Sequence, residues 1–412
     1  MRTSVQVFID KKFGSLLNML LYVPVRILGK LLRINHSLER PFKKIIVAKY
    51  KGMGSIIQAS ALLKTLRNQY PDAEILFVST TSNAGILNYY NEVINRSILI
   101  NDSGIWQLFS SSLKCIFKLL KFRADLFIDL EIYSNYSTLM CTLSAAKNRM
   151  GFYKSDKDYR TGLYTHLMVY NIKAPLSEIY LQTARMLNIK SPERGLIYLN
   201  ELPEAGQSLK DKLPGLGQKY FVINPNASDL RLERRWPASS YLQLCNKLPD
   251  VYTGYKFVLI GNKQEKEYVN QISKLLAHRS EIIDSSGMLN LEELVELIRG
   301  AEMIITNDTG PLHVSLALQK NTVGLFGPCS PEQYGQMEFC TSVYMNLYCS
   351  PCVHEFMLPP CGGNNRCMKD ISIIQVLQAI EKALGPEKIN IPDHIQYMSN
   401  SRALGYVENR KP

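Results

Sequence analysis

The chain has 412 residues, enough for two α/β domains, because single hydrophobic cores usually stop growing near about 250 to 300 residues. Hydrophobic residues make up 46% of it and charged residues 20%. The number of cysteines, nine, is odd, and no secretory signal is apparent at the N-terminus. Both observations argue against an exported disulfide scaffold and favour a reducing cytoplasm. The net charge of +12 is uneven, since residues 1–44 contain nine Lys or Arg and two acids, which leaves +5 for the rest.

The first apolar stretch covers residues 13–32, FGSLLNMLLYVPVRILGKLL. A spanning helix needs about 20 predominantly apolar residues, and this stretch is interrupted before that length by Asn18, Pro24, Arg26, Gly29 and Lys30. With basic residues on both flanks, the pattern predicts an amphipathic segment that lies in a membrane interface. A helix packed on the protein's own surface is the alternative.

An alternation of strands and helices begins near residue 43. Residues 44–48 (KIIVA) and 74–78 (EILFV) predict buried strands, and residues 56–69 predict an amphipathic helix between them. The glycine turn at residues 50–55, YKGMGS, lacks the third glycine and the acidic ribose-binding residue of a dinucleotide fingerprint, so no NAD site is predicted.

The rest of this first series contains a basic helix and a second candidate site. Residues 106–122 predict a helix with Lys114, Lys118 and Lys121 beside large apolar residues, which favours a solvated face over a second membrane-facing patch. Residues 125–130 (DLFIDL) predict a strand with Glu131 at its carboxyl end, the edge at which open parallel sheets bind ligands. Residues 159–166 predict a loop.

A passage rich in proline and glycine, residues 190–219, predicts an interdomain connection. A second α/β series follows it, with predicted strands at residues 220–224, 256–261, 303–306 and 322–326, and predicted helices at residues 239–248, 264–277, 291–299, 311–318 and 371–383. The two series therefore predict two α/β domains.

The turn at residues 307–310, NDTG, joins a predicted strand to a predicted helix. Pro311 suits the first helical position because it has no N–H group to lose, and Thr309 or Gly310 can serve as the N-cap. Several free N–H groups at this point attract phosphate, and His313 can add a hydrogen bond or a positive charge. In the plainer interpretation, Asp308 and Thr309 only cap the helix and His313 only packs.

The residues D-T-G-x-x-H at 308–313, followed by a helix, a strand and F-G-P at 326–328, resemble the C-terminal signature of the heptosyltransferase family, glycosyltransferase family 9. The G-x-G unit with Y-P-D-A-E-I at 70–75 resembles the start of the family's acceptor-side domain, and RMGFY at 149–153 resembles another short family element. Over residues 43–385 the resemblance implies an α/β fold of GT-B type, two doubly wound Rossmann-like domains with a cleft between them, here preceded by an N-terminal amphipathic extension. The predicted ranges are 1–42 for the extension, 43–200 for the acceptor-side domain, 201–370 for the nucleotide-sugar-binding domain and 371–412 for the C-terminal helix and tail.

The resemblance also implies an inverting glycosyltransferase that needs no metal and no cofactor. Arg234 takes the position of a family lysine shortly before Trp-Pro, with Arg235 beside it, and arginine offers a bidentate fork for the departing diphosphate. In the alternative, Arg231, Arg234 and Arg235 belong to a solvated basic loop. The predicted donor-binding residues are Asn226, Ser228, Arg234, Arg235, Gly261, Met288, Asp308, Thr309, Gly310 and His313, and the predicted acceptor-side loop contains Gly52, Gly54 and Ser55.

The sequence departs from the family at the catalytic base. Heptosyltransferases have an aspartate directly after the G-x-G turn, and Ser55 stands there in this chain. Serine has no useful basicity near neutral pH, so we predict Glu131 as the base, with His166 and Glu178 as alternatives. The same departure supports a rival hypothesis, a nucleotide-sugar-binding protein that lacks transfer activity and acts as an assembly partner.

Four cysteines cluster as C-x2-C-x8-C-x5-C at Cys349, Cys352, Cys361 and Cys367. Four thiols at this density can hold zinc, although the second pair is not spaced as a zinc knuckle. Free packed thiols are the favoured interpretation, and a structural zinc site and a disulfide or redox role stay open.

The resemblance implies transfer of a sugar, heptose-like or other, from a nucleotide-diphosphate donor to a lipid-linked or lipopolysaccharide-type glycan acceptor. The predicted partners are this donor, this acceptor and an anionic membrane surface bound by residues 1–40, with no nucleic acid. The predicted location is cytoplasmic, peripheral on the inner face of the membrane.

Overall fold

A computed structural model describes residues 10–39, 41–153, 160–227, 231–353, 356 and 359–385. The chain divides after Ile197 into two compact units. Each unit contains a six-stranded sheet whose paired strands are all parallel. The fold class predicted from the sequence, two doubly wound α/β domains, is thereby confirmed.

The N-terminal unit has the sheet order β3-β2-β1-β4-β5-β6. Its strands are β1 (Lys44–Ala48), β2 (Glu74–Thr80), β3 (Arg96–Ile100), β4 (Leu126–Asp129), β5 (Asn148–Tyr153) and β6 (His166–Val169). Its helices are α1 (Ser15–Leu31), α2 (Met53–Gln69), α3 (Ala84–Leu87), α4 (Ile105–Phe122), α5 (Asn135–Leu143), α6 (Arg160–Leu163), α7 (Leu176–Tyr180) and α8 (Gln182–Met186). One hydrophobic core lies between this sheet and the helices α4 and α5, where Ile46 and Phe127 pack with Cys115, Leu119 and Met140.

The C-terminal unit repeats this arrangement with the order β12-β11-β10-β7-β8-β9. Its strands are β7 (Tyr220–Asn224), β8 (Lys256–Leu259), β9 (Ile282–Asp284), β10 (Met303–Asn307), β11 (Thr322–Phe326) and β12 (Cys340–Tyr344). Its helices are α9 (Pro203–Lys212), α10 (Ala238–Val251), α11 (Lys266–Leu275), α12 (Leu291–Gly300), α13 (Gly310–Ala317), α14 (Pro331–Tyr334), α15 (Arg366–Lys369) and α16 (Ile373–Leu384). The last helix packs Val376 and Ile380 into the core of this unit beside Trp236 and Leu244.

Two local expectations need correction. The helix α2 begins at Met53 rather than at residue 56, because Gly52, with φ of 86°, turns the chain sharply enough for the helix to start at once. The loop predicted at residues 159–166 is wrong for its described part, residues 160–166, because α6 forms there and His166 already begins β6. The bond from Thr165 N to Arg149 O (2.9 Å) aligns this segment with β5, a tertiary contact that a short sequence pattern does not reveal.

The predicted interfacial segment forms α1, a continuous helix that contains Pro24. In the part of the chain that the structure describes, no helix has both the length and the apolar character needed to cross a membrane.

Candidate active site

The predicted donor residues of the C-terminal unit lie at the carboxyl ends of four neighbouring strands. Asn226 follows β7, Gly261 follows β8, Met288 follows β9 and Asp308 follows β10. The chain order of the sheet reverses between β7 and β10, which are paired neighbours, and ligands of doubly wound sheets bind in the crevice at such a reversal. The predicted Ser228 lies outside the described residues.

The turn after β10 leaves fewer main-chain N–H groups available to an anion than its sequence predicts. Thr309 is the N-cap of α13, but its side chain does not cap the helix. Its hydroxyl instead accepts a hydrogen bond from Asn224 Nδ2 at 2.8 Å. Pro311 has no N–H group, and Leu312 N donates to Thr309 O at 3.1 Å, so neither position offers an N–H group to a ligand. Side chains supply further positive charge at this edge.

Arg234 supplies that charge beside Asp308. Its Nη1 donates to Asp308 O at 3.1 Å and lies 3.5 Å from Asp308 Oδ2. Burial alone would lower the pKa of Arg234, but the acidic groups around it, first Cys329 and then Asp308, raise it above the usual value. The neighbouring Arg235 guanidinium lies 4.1 Å from the centre of the Tyr268 ring, a cation–π contact. The arginines are therefore held in place and are not a freely solvated basic loop.

Several buried polar atoms at this edge have no hydrogen-bond partner among the described residues. They are Asn226 Oδ1, Arg234 Nε, Arg235 Nε, Ser286 Oγ and Asp308 Oδ2. An unmade hydrogen bond of a buried group costs about 1 to 3 kcal/mol, so folded proteins contain few of them. Their grouping at the carboxyl ends of β7, β9 and β10 marks a place where a polar ligand would complete the bonding.

His313 contributes a neutral ring to the same place. It is buried, its Nε2 lies 3.8 Å from Asp308 Oδ1, and its ring packs edge-on against Tyr334 with centres 5.8 Å apart. Burial, aided by the charge of Arg234, lowers the pKa of His313 despite the opposing effect of Asp308. The lowered pKa favours the neutral ring, which fits a hydrogen-bonding role, the first of the two roles that the sequence allowed, better than a positive charge.

Gly261 and Met288 shape the other side of this edge. A β-carbon at position 261 would lie 2.9 Å from Asn226 Nδ2, which donates to Ile260 O at 2.8 Å. Only glycine leaves room for that hydrogen bond. Met288 follows Gly287, whose φ is 72°, and its side chain is 41% exposed. Such a flexible apolar side chain can cover a flat ligand.

The N-terminal unit has an equivalent edge, where its chain order reverses between β1 and β4. Gly52 is the N-cap of α2, and Gly54 and Ser55 lie in the first turn of that helix. The predicted acceptor-side loop therefore lies at the carboxyl end of β1. Glu131 lies directly across the reversal, two residues after the end of β4.

The carboxylate of Glu131 is fully engaged there. Its Oε2 accepts from Lys49 Nζ at 2.8 Å, and its Oε1 accepts from Tyr50 N at 2.9 Å and Lys51 N at 2.8 Å. Burial works to raise the pKa of Glu131, but the Lys49 charge and these hydrogen bonds outweigh it and lower the pKa. A carboxylate with a lowered pKa and both oxygens bonded is a poor proton acceptor, so this geometry favours an anchoring role for Glu131 over the predicted base.

The other acids and bases at this unit lie elsewhere. His166 is at the amino end of β6, the edge opposite to the carboxyl ends of the strands. Glu178 is paired with Arg185 Nη2 at 2.8 Å. Asp129 is fully buried and accepts hydrogen bonds from Glu131 N (2.9 Å) and from the Tyr164 hydroxyl, and burial raises its pKa. Sequence reasoning missed Lys49 entirely, although a lysine at the end of the apolar run KIIVA was a signal for a buried charge pair.

The four clustered cysteines are free thiols in the structure. Cys352 and Cys367 are buried, Cys349 is half-buried and Cys361 is exposed. Main-chain N–H groups, first that of Asn365, lower the pKa of the Cys361 thiol. Within the described ranges, no group of three or more His, Cys, Asp or Glu side chains is placed to hold a metal ion.

Comparison with known proteins identifies the relatives of this chain. Residues 113–358 match the family described as glycosyltransferase family 9 (heptosyltransferase). The chain is 25% identical to lipooligosaccharide heptosyltransferase 2 of Campylobacter jejuni, over 83% of this chain and 98% of the relative. Its fold is similar to that of a family 9 glycosyl transferase from Veillonella parvula (TM-score 0.70, 22% identity, 85% and 99% of the two chains). It is also similar to that of E. coli ADP-heptose LPS heptosyltransferase II (TM-score 0.66, 22% identity, 83% and 98% of the two chains).

Proposed function

Since the chain belongs to glycosyltransferase family 9, the heptosyltransferases, we propose that it transfers heptose from ADP-heptose to the core of a lipopolysaccharide or lipooligosaccharide. The names of its relatives support this donor and this class of acceptor. The observation that carries the proposal is a set of buried donors at the carboxyl edge of the C-terminal sheet, Arg234 Nε, Arg235 Nε and the Ser286 hydroxyl, which have no hydrogen-bond partner among the described residues. The oxygens of a nucleotide diphosphate carry negative charge and accept hydrogen bonds, so they would satisfy these donors, whereas Asn226 Oδ1 and Asp308 Oδ2 are acceptors and would need donors such as the hydroxyl groups of the sugar.

In the proposed reaction, Arg234 and Arg235 stabilise the leaving group. The bond between the sugar carbon and the diphosphate breaks, and negative charge develops on the departing ADP. Fixed positive groups stabilise such charge most when they need no reorganisation during the reaction. Asp308 keeps the Arg234 guanidinium oriented through the bond from Nη1 to the Asp308 carbonyl. We assign Asp308 as a positioning residue, while His313 and Thr309 contact the donor.

On the acceptor side, we propose that Glu131 fixes the turn of residues 49–55. Three bonds connect its carboxylate to Lys49, Tyr50 and Lys51, so the start of this turn moves with β4. The sequence-based prediction that Glu131 removes the acceptor proton stays a prediction, and its contacts favour the positioning role. Ser55 has no basic group to take over the role of the family's aspartate.

We further propose that residues 1–40 hold the enzyme at the anionic cytoplasmic face of a membrane, where a lipid-linked acceptor is found. The support is the basic charge of this segment and the exposed apolar face of α1. An interfacial helix combined with basic residues is a recognised means of peripheral attachment.

The test uses the purified full chain with ADP-heptose, and measures ADP release with and without a heptose-deficient lipopolysaccharide core. We expect ADP release that depends on the acceptor, together with an acceptor mass increase of one heptosyl unit. Arg234→Ala should lose this activity, whereas Lys274→Gln, a change on the exposed face of α11, should keep it. Donor binding in calorimetry without transfer to any core acceptor would instead support the binding or assembly protein.

A further inference from the structure

Helix α1 presents apolar side chains to the solvent and buries the polar side chain of Asn18. The side chain of Asn18 is 1% exposed, and its Nδ2 donates to Asn135 O at 3.1 Å. Gly14 and Tyr22, four residues before and after Asn18, lie on the same stripe and pack closely on Asn135 and Gly162. The opposite face contains apolar side chains that are all more than 40% exposed: Leu16, Leu17, Met19, Leu20, Val23, Ile27, Leu28 and Leu31.

Helix α4 is arranged in the same way. Its buried side contains Ser112, Cys115 and Leu119. Its outer side contains the exposed apolar residues Ile105, Trp106, Phe109, Leu113, Phe117 and Leu120. Lys114, Lys118 and Lys121 are also exposed, and they directly follow the last three of these apolar residues. A helix that faced water alone would have polar residues at these outer positions.

Both helices contact the first turn of α5. Asn18 bonds to Asn135, as described, and the Ser112 hydroxyl lies 2.6 Å from the Tyr136 hydroxyl. Because Asn135 and Tyr136 are consecutive residues, the buried sides of α1 and α4 meet on the same turn of α5, so both helices flank one region of the N-terminal unit. That region is near the carboxyl end of β4, the edge that also holds the acceptor-side turn.

The charge of the two helices identifies what can cover them. Helix α1 contains Arg26 and Lys30 and no Asp or Glu, and the described segment around it, residues 10–39, contains five Lys or Arg and two acids. Residues 105–123 contain four Lys or Arg and no Asp or Glu. A second copy of the chain would bring like charges together, whereas an anionic lipid surface matches both the charge and the apolar face. Trp106, 81% exposed, has the amphipathic ring that is enriched at membrane interfaces.

We infer that α1 and α4 form one two-helix surface that lies in the interface of an anionic lipid bilayer. This goes beyond the proposed attachment through residues 1–40, because it makes α4, in the middle of the first domain, a second element of membrane contact. It also replaces the solvated face that the sequence favoured for α4. The surface is independent of the donor site, so its failure and that of the proposed function are separate outcomes.

The two tryptophans of the chain provide a direct measurement. Trp106 is exposed on α4, and Trp236 is fully buried in the C-terminal unit. Vesicles of phosphatidylglycerol mixed with brominated phosphatidylcholine should quench and blue-shift the emission of Trp106 and leave that of Trp236 unchanged. Trp106→Phe should abolish the quenching. If the full chain sediments with these vesicles while Trp106 is not quenched, α4 does not contact the lipid and the inference is wrong.

Paired variants test the contribution of α4 to affinity. Replacing Lys114, Lys118 and Lys121 together by Gln should weaken binding to phosphatidylglycerol vesicles by roughly 100-fold, since each basic residue near an anionic surface contributes about fivefold. The matched control replaces three exposed helical lysines of the C-terminal unit, Lys210, Lys247 and Lys274, by Gln and should change binding less than about twofold. Equal losses in both variants would show general charge attraction and contradict the two-helix surface.

A third pair separates apolar contact from charge. Phe109→Ser with Phe117→Ser should weaken vesicle binding at least about tenfold, whereas Leu232→Ser with Leu275→Ser, exposed apolar residues of the other unit, should not. Far-ultraviolet circular dichroism and donor binding verify that each variant is folded. Sedimentation equilibrium completes the test. If the wild type has the mass of two chains and does not bind vesicles, and the variant with Phe109→Ser and Phe117→Ser has the mass of one chain, this surface belongs to a dimer and the inference is overturned.

Discussion

The prediction that most sharply separates the two roles of Glu131 is the outcome of Glu131→Gln. The amide keeps the size and one acceptor oxygen of the carboxylate, so bonds from Tyr50 N and Lys51 N can persist. The amide nitrogen, however, would take the place of Glu131 Oε2, which lies 2.8 Å from Lys49 Nζ. Two hydrogen-bond donors at that distance repel each other. Lys49, only 6% exposed, would then be a buried charge without a partner.

The expected cost follows from that geometry. Removing one partner of a buried ion pair costs about 3 to 5 kcal/mol, because the remaining charge stays desolvated. Replacing both partners by neutral groups is often close to neutral. The double variant with Lys49→Met should therefore be more stable than Glu131→Gln alone, and Lys49→Met alone should be destabilised as well.

Two measurements report this change. Urea unfolding at pH 7 gives the free energy of unfolding of the wild type, of both single variants and of the double variant. Hydrogen exchange then follows the amides of Tyr50 and Lys51, which Glu131 protects directly. Both should exchange faster in Glu131→Gln, because the neutral amide oxygen accepts weaker hydrogen bonds than the carboxylate does. Glu178→Gln, which removes a half-buried carboxylate from its pairs with the exposed Arg185 and Arg194, is the control and should cost about 1 kcal/mol or less.

The pH dependence has a definite sign. Because the folded pKa of Glu131 is lowered, its stabilising contribution is complete above the unfolded pKa of about 4.3 and is lost as the pH falls through the folded value. The difference in free energy of unfolding between the wild type and Glu131→Gln should therefore shrink in acid. If Glu131→Gln lost less than about 1 kcal/mol but lowered turnover by about 100-fold to 10,000-fold, the anchoring argument would be refuted and the general base supported.

Three further outcomes follow from the donor edge. Arg234→Ala should weaken ADP-heptose binding in calorimetry by roughly 1.5 to 3 kcal/mol, the value of a charge-assisted hydrogen bond, and an unchanged dissociation constant would remove Arg234 from the site. Gly261→Ala should lower the urea stability by about 1 to 3 kcal/mol because its β-carbon overlaps Asn226, whereas Gly206→Ala, in open space on α9, should not destabilise the protein. The pKa of His313 is lowered in the folded state, so the stability is complete above about pH 6.5 and falls as the pH drops below that value; His313→Gln should flatten this part of the pH profile of urea stability.

The strands that the sequence predicted are those at the centres of the two sheets. Runs such as KIIVA, YFVIN and TVGLF are continuous and apolar because central parallel strands are buried on both faces. The edge strands β3 (RSILI) and β12 (CTSVY) were missed, since their exposed residues interrupt the apolar pattern. β9 has three residues, too few for any periodic signal.

The positions of the site residues were predictable from the sequence, but their bonding was not. Any residue that follows a central strand must lie at the carboxyl edge, which places Asp308 and Glu131 correctly. The bond between Lys49 and Glu131 joins residues 82 positions apart and exists only because β1 and β4 are neighbours in the sheet. Strand order is a tertiary property, so the sequence predicted a free carboxylate where the fold forms an ion pair.

The Asp10 carboxylate has a consequence for how lipid contact and acceptor binding influence each other. It accepts hydrogen bonds from Tyr136 N at 2.6 Å and Asn135 N at 3.1 Å, and so caps α5 from 125 residues away in the chain. The ring of Tyr136 packs edge-on against Tyr50 at the acceptor-side turn, with centres 5.4 Å apart. Deleting residues 1–40 would therefore remove this acceptor from the two N–H groups, at a cost of about 0.5 to 2 kcal/mol, while the Ser134 hydroxyl would still accept from Ser137 N as the N-cap of α5. Docking on a bilayer that orders this turn would strengthen acceptor binding there. By thermodynamic reciprocity, a bound acceptor would then strengthen docking on the bilayer by the same free energy.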